Sequence, residues 1–144
     1  MPDDPSDRPT VLVSDRQDLP VEADALARLA RETLRAESQV DAELSVSFVT
    51  PGEMADLRRR YLDEDGPTDV LSFPQDEEQV AEGVRVLGDV VICPAVAAEQ
   101  TGGESEVRLL LVHGILHLLG YDHETDEERA EMWSRQERYS GVRA

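Results

Sequence analysis

Residues 113–123 read HGILHLLGYDH and hold all three histidines of this 144-residue chain. His113 and His117 are four positions apart, so on a helix their imidazoles project from the same face. Gly120 can adopt the left-handed conformation that ends a helix, and the turn behind it brings His123 towards the same point. Three neutral imidazoles that converge in this way form a site for a divalent metal ion and leave a fourth position for water.

The donor atoms of this cluster indicate which ion it holds. Ligation by nitrogen alone favours zinc, and we expect one zinc ion per chain on His113, His117 and His123. The metal-bound water, with a pKa of about 7, is a candidate nucleophile. Asp122 stands beside His123. It is a candidate general base or a partner that orients an imidazole, and the alternative interpretation is an ordinary turn residue.

The intervals between the histidines match those of the metzincin proteases, in which a glutamate after the first histidine is the general base. In this chain Gly114 occupies the glutamate position. The carboxylate that activates the attacking water in peptide hydrolysis is therefore missing. The sequence predicts the metal cage of a hydrolase without the base of a peptidase.

The segment around these histidines is apolar nearly all round between residues 107 and 119, which predicts a buried core helix. The rest of the chain alternates between strand and helix patterns, and Thr50, Pro51 and Glu53 form the signature of a capping box. Together these patterns predict an α+β fold: a single small domain in which helices pack against a mixed β-sheet of about four strands, with the metal site on the buried helix and the following turn. We expect strands at 11–13, 42–49, 69–73 and 84–93, and we expect the last two strands to pair as a hairpin. We expect further helices at 21–37 and starting at residues 51, 94 and 126. The helix that starts at residue 126 is expected to bury Met132 and Trp133.

Composition sets the broad class of the protein. Residues 1–9 are rich in proline and predict a flexible tail, and residues 10–144 predict a single catalytic domain. The single cysteine, the lack of a signal peptide and the lack of a long apolar run predict a cytoplasmic protein with no membrane partner. The net charge is −18, so the surface as a whole repels nucleic acid at long range.

Three segments resemble the YbeY family of bacterial ribosomal-RNA maturation factors. The first is the histidine segment, residues 113–123, which is similar to the family signature. The other two are GPTDVLSFP at 66–74 and LGDVVIC at 87–93. The resemblance extends from about residue 44 to about residue 133, and its motifs occur in the order typical of the family.

This resemblance implies a small α+β fold with zinc on the three histidines. It also implies a metal-dependent endoribonuclease that acts on single-stranded RNA, in 3′-end maturation of small-subunit ribosomal RNA and in ribosome quality control. The implied partners are ribosomal RNA, components of the small ribosomal subunit and an assembly GTPase.

One position departs from the family pattern. Many relatives have an arginine, thought to contact RNA, directly after the tyrosine that precedes the Pro-Thr segment, whereas Leu62 follows Tyr61 here. Arg58, Arg59 or Arg60 would then make the RNA contact, and we take Arg60 as the candidate. The alternative for all three is the solvated end of a helix.

Two other functions are compatible with the residues alone. One is a zinc metallopeptidase-like hydrolase with a displaced base. The other is a non-catalytic ribosome assembly factor with structural zinc, which the net charge of −18 favours because free-standing nucleases usually have a basic groove.

Overall fold

The computed structural model describes residues 9–75, 80–81, 84–99 and 104–141. The predicted tail therefore lies outside the described residues, apart from Pro9. No helix in the described ranges is long and apolar enough to cross a membrane. The elements in chain order are β1 (Thr10–Asp15), α1 (Ala23–Ala36), β2 (Ala42–Phe48), α2 (Pro51–Leu62), β3 (Val70–Pro74), β4 (Val80–Ala81), β5 (Val84–Ile92), α3 (Pro94–Ala98), α4 (Glu104–Leu118) and α5 (Asp126–Ser140).

The strands form one mixed sheet in the order β1-β2-β5-β3. β1, β2 and β5 run parallel, whereas β3 is antiparallel to β5. The two-residue β4 pairs with the start of β5. The predicted α+β fold, with four main strands and a β3–β5 hairpin, is confirmed.

The two faces of the sheet carry different helices, because successive side chains of a strand point to opposite faces. On one face Val90 packs in the main core with α1 and α4. On the other face Leu71 and Phe73 pack with Met54 and Leu57 of α2. α2 and α4 therefore lie on opposite sides of the sheet.

A glycine fixes the approach of α4 to the sheet. A Cβ atom on Gly114 would lie 2.7 Å from Val90 Cγ1 and 3.1 Å from the Ser72 hydroxyl oxygen. Ser72 and Val90 are cross-strand partners in the β3–β5 hairpin. The Ser72 hydroxyl also donates to the Gly114 carbonyl over 3.1 Å. α4 thus lies on the sheet at Gly114, the one glycine of the helix.

β5 contains a bulge where it pairs with β2. The register between β2 and β5 shifts at Leu44, so that Leu87 has no partner in β2. The next residue, Gly88, has φ of +132°, and a Cβ atom there would lie 2.2 Å from the Phe73 carbonyl oxygen. Only glycine fits this position, and such bulges increase the local twist of a sheet.

The start of α2 differs in part from the predicted capping box. The Thr50 hydroxyl accepts the backbone N–H of Glu53 over 3.1 Å, as expected. The Glu53 carboxylate, however, accepts from the Arg16 guanidinium at 2.6 Å. The box is half formed because Arg16, the residue after β1, binds the Glu53 carboxylate instead.

A buried carboxylate joins three parts of the chain. Glu37 follows α1, and its side chain is 7% exposed. It accepts hydrogen bonds from the Tyr121 and Tyr139 hydroxyls and from the Arg135 guanidinium. Burial raises the pKa of Glu37, but these hydrogen bonds outweigh burial and hold it below its ordinary value of 4.5. Burial and the bond to Glu37 raise the pKa of Tyr121 to about 12, so the phenol remains a donor.

This network predicts a pH-dependent contribution to stability. A carboxyl whose folded-state pKa is lowered stabilises the fold above its unfolded pKa, and this stabilisation is lost as pH falls through the folded pKa. Glu37→Gln should therefore cost about 1–3 kcal/mol at neutral pH. The cost should shrink as pH falls below 4.5. Urea denaturation across this pH range measures it, with the exposed Glu32→Gln on α1 as the control. A cost that does not change with pH would contradict the assignment.

The glycine contact generates a second prediction. Gly114→Ala should destabilise the fold by about 1–3 kcal/mol, because the β-branched Val90 side chain cannot move aside easily. Gly52→Ala in α2 is the matched control, since its Cβ atom would meet only the Thr50 hydroxyl oxygen at 3.9 Å. That control should be neutral or slightly stabilising. Equal unfolding midpoints for the two variants would show that α4 does not approach the sheet as described.

Candidate metal centre

The three histidines lie where α4 ends and turns back. His113 and His117 are in the last two turns of the helix. The Gly120 N–H then donates to the His117 carbonyl and the Tyr121 N–H to the Leu116 carbonyl, each over 3.0 Å. This pair of bonds is a Schellman motif, and Gly120 has the predicted positive φ, at +103°. The turn leads directly to His123.

The imidazoles converge as the sequence predicts. One ring nitrogen from each of the three histidines lies within 4.8 Å of the others. The ring centroid of His117 is 4.5 Å from the ring centroid of His113 and 5.3 Å from that of His123. A divalent ion that prefers nitrogen ligands fits this donor set.

A residue that the sequence reasoning missed orients the first imidazole. Nδ1 of His113 donates to the side-chain oxygen of Gln136 on α5, which leaves Nε2 free as a ligand atom. Gln136 is 3% exposed. Such partners fix the tautomer and ring orientation of metal-binding histidines. The available signal was spacing, because Met132, Gln136 and Ser140 recur every four residues along the buried stripe of α5.

The surroundings favour the neutral, metal-binding form of two imidazoles. Burial lowers the pKa of His113, and the hydrogen bond with Gln136 offsets part of that effect. Burial also lowers the pKa of His117, and the two neighbouring histidines lower it further. Since protons compete with metal for imidazole nitrogens, a lowered pKa extends metal binding to lower pH.

An aromatic side chain borders the cluster. The Trp133 ring centroid lies 6.1 Å from that of His113 and 5.7 Å from that of His123. Trp133 is half-buried and packs with the small core cluster of Val112, Leu116 and Met132. Trp133, which the sequence predicted only as a core residue, therefore also borders the candidate metal site.

Asp122 lies next to the histidines. Its Oδ1 atom accepts the backbone N–H of His123 over 2.7 Å. The carboxylate is close enough to His117 to oppose the lowering of that histidine's pKa. Asp122 thus supports the turn that carries the third imidazole, and its role as a base stays a prediction.

Arg60 lies on α2, which packs on the face of the sheet opposite α4. Its guanidinium forms an exposed ion pair with Asp56 at 2.7 Å. The contacts found among the described residues do not join Arg60 to the histidines. Its role in RNA contact therefore stays a prediction.

The position of the missing peptidase base is closed by packing. Gly114 faces Val90 and Ser72. A glutamate there would collide with the sheet. The structure therefore gives a steric reason for the glycine, and the peptidase alternative is not favoured.

Comparison with known proteins identifies the family of this chain. A family model described as Endoribonuclease YbeY matches residues 12–141. A protein named Endoribonuclease YbeY from Beutenbergia cavernae is 52% identical over 78% of this chain and 80% of its own length. A protein of the same name from Micrococcus luteus is 51% identical over 82% of each chain. A solution structure of a Thermotoga maritima protein is 29% identical and superposes with a TM-score of 0.61, over 91% of this chain and 87% of that one. The resemblance seen in the three sequence segments is confirmed, and the chain belongs to the YbeY family.

Proposed function

We propose that this protein is a metal-dependent endoribonuclease that cuts single-stranded RNA in 3′-end maturation of small-subunit ribosomal RNA and in ribosome quality control. The observation that carries the proposal is the convergence of three imidazole nitrogens within 4.8 Å. It occurs in a chain whose curated relatives are named endoribonucleases.

The chain's own residues would hold the ion and set its surroundings. His113, His117 and His123 would be the ligands, and a set of three nitrogens favours zinc, one per chain. Bound there, zinc would supply Lewis acidity that stabilises negative charge developing on a phosphodiester. Gln136 fixes the His113 ring, and Asp122 holds the backbone at His123.

Asp122 is the proposed general base. Its Oδ1 atom is engaged by the His123 N–H. Among the described residues we find no hydrogen bond at the other carboxylate oxygen, which is therefore available for a proton. The negative charge of Asp122 raises the pKa of His117, against the lowering by burial, and this influence on a ligand supports the assignment.

Arg60 is the proposed phosphate contact. Its ion pair with Asp56 is exposed on both sides and joins residues four apart on α2. Such pairs contribute about 0.3–0.5 kcal/mol, so an RNA phosphate can replace the carboxylate at little cost. A local contact of this kind is compatible with a net charge of −18.

The proposed setting follows from the family resemblance. It is the cytoplasm, with ribosomal RNA and components of the small ribosomal subunit as partners, and an assembly GTPase as a further partner. Zinc with only a structural role is less well supported, because the cluster offers three histidine ligands and no fourth within the described residues. Three protein ligands and one open position are typical of catalytic zinc.

Removal of a ligand tests the metal site. His117→Ala should lose both bound metal and cleavage of a labelled single-stranded RNA. Gln136→Ala should keep activity at saturating zinc but bind zinc about 10- to 100-fold more weakly, because it removes the partner of His113. Competition with a chromophoric chelator measures affinity, and Arg138→Ala on α5 is the control. Full metal content with full cleavage in His117→Ala would contradict the proposal.

Two substitutions separate the roles of Asp122. Asp122→Asn retains an oxygen that can accept the His123 N–H but cannot take up a proton. If Asp122 is the base, the Asn variant should keep its metal and lose cleavage by about 100- to 10,000-fold. Asp122→Ala should additionally weaken metal binding. Cleavage by Asp122→Asn at the wild-type rate would reduce this residue to support of the turn.

A further inference from the structure

One aromatic side chain on the molecule is exposed without an assigned role. The chain has one tryptophan, three tyrosines and two phenylalanines. All six lie in the described ranges, and Tyr61 is the only one among them that is exposed, at 61%. Its neighbour Leu62 is 45% exposed. The two form an apolar surface at the end of α2.

The Tyr61 ring is held in place from behind. It meets Phe73 of β3 edge-on, with ring centroids 5.4 Å apart. Phe73 is itself half-buried in the cluster beneath α2. One turn earlier on the helix, Arg58 donates to the carbonyls of Asp65 and Gly66 and thereby fixes the loop that follows. The ring is therefore exposed on one side and supported on the other.

Tyr61 is connected to the histidine cluster through the edge of the sheet. β3 is the last strand in the sheet order. Phe73 contacts Tyr61, and the adjacent Ser72 donates to the carbonyl of Gly114, which follows His113. β3 thus contacts Tyr61 on one face of the sheet and α4 on the other, at the edge where the two faces meet.

The chemistry of this surface fits a nucleobase. Aromatic rings stack on bases of any sequence, and a neighbouring cation binds the adjoining phosphate. Arg60 and Arg59 are exposed on the same turn of α2. We propose that Tyr61 is a stacking platform for one base of the single-stranded RNA substrate, beside the phosphate contact of Arg60; this inference rests on the proposed function.

Binding of single-stranded RNA to the zinc-loaded protein tests the platform. Fluorescence anisotropy with a labelled oligonucleotide, over a series of salt concentrations, gives the affinity and its salt slope. Tyr61→Ala should weaken binding about 5- to 150-fold and leave the slope unchanged, because stacking involves no charge. Tyr61→Phe keeps the ring and should bind like the wild type. Arg60→Ala should make the slope shallower by about 0.7, and Arg28→Ala on α1, across the sheet, should not.

The controls separate this inference from the proposed function. Metal content should not change in Tyr61→Ala, and the loss of the Phe73 contact should lower the unfolding midpoint only slightly, since most of the side chain is exposed. If the wild type cleaves RNA and Tyr61→Ala binds RNA as tightly as the wild type, the proposed stacking by Tyr61 is wrong and the proposed function stands. If the wild type neither binds nor cleaves single-stranded RNA, both are wrong. Weakened binding in Tyr61→Phe as well would also overturn stacking, because it would assign the contact to the hydroxyl.

Discussion

The contact between Gly114 and the Ser72–Val90 pair is the constraint on which the rest of the site depends. At this point a helix backbone lies directly on two strands, with the Ser72 hydroxyl bonded to the Gly114 carbonyl. A helix pinned at one residue has its rotation fixed, and the directions of His113 and His117 follow from that rotation. The same glycine removes the carboxylate that a peptidase would use. The packing of α4 on the sheet and the chemistry of the site therefore both depend on the absence of a side chain at position 114.

Each imidazole depends on a different part of the fold. Gln136 of α5 orients His113. The rotation of α4 sets His117, and the Schellman turn delivers His123. Tyr121 in that turn is bonded to Glu37 at the end of α1, so the third imidazole is tied to the first helix of the chain. A change far from the histidines can thus disturb the geometry of the site.

Sequence patterns predicted the features that depend on neighbouring residues. Alternating apolar residues located β2, the four-residue spacing aligned His113 with His117, and Gly120 marked the turn. Features that depend on distant residues were not predictable in this way. Gln136 is 23 residues from its histidine, and Glu37 is 84 residues from Tyr121.

One local expectation changed because of a residue distant in sequence. A strong local signal placed Glu53 in a capping box, but its carboxylate binds Arg16, which is 37 residues away in sequence. Helical spacing also gave no indication that Arg60 lies on the face of the sheet opposite α4. Local patterns define which partners are available, whereas tertiary packing decides between them.

The closeness of the three histidines in sequence limits how much a bound ion can stabilise the folded chain. All candidate ligands lie within residues 113–123, so an ion bound there closes only a short loop of chain. Short loops have a small entropic cost of closure, and histidines this close can chelate metal before the domain has folded. Binding to the unfolded chain reduces the stabilisation that a metal confers on the folded one. We therefore expect a bound ion to raise the free energy of unfolding less than an ion whose ligands come from distant segments of the chain.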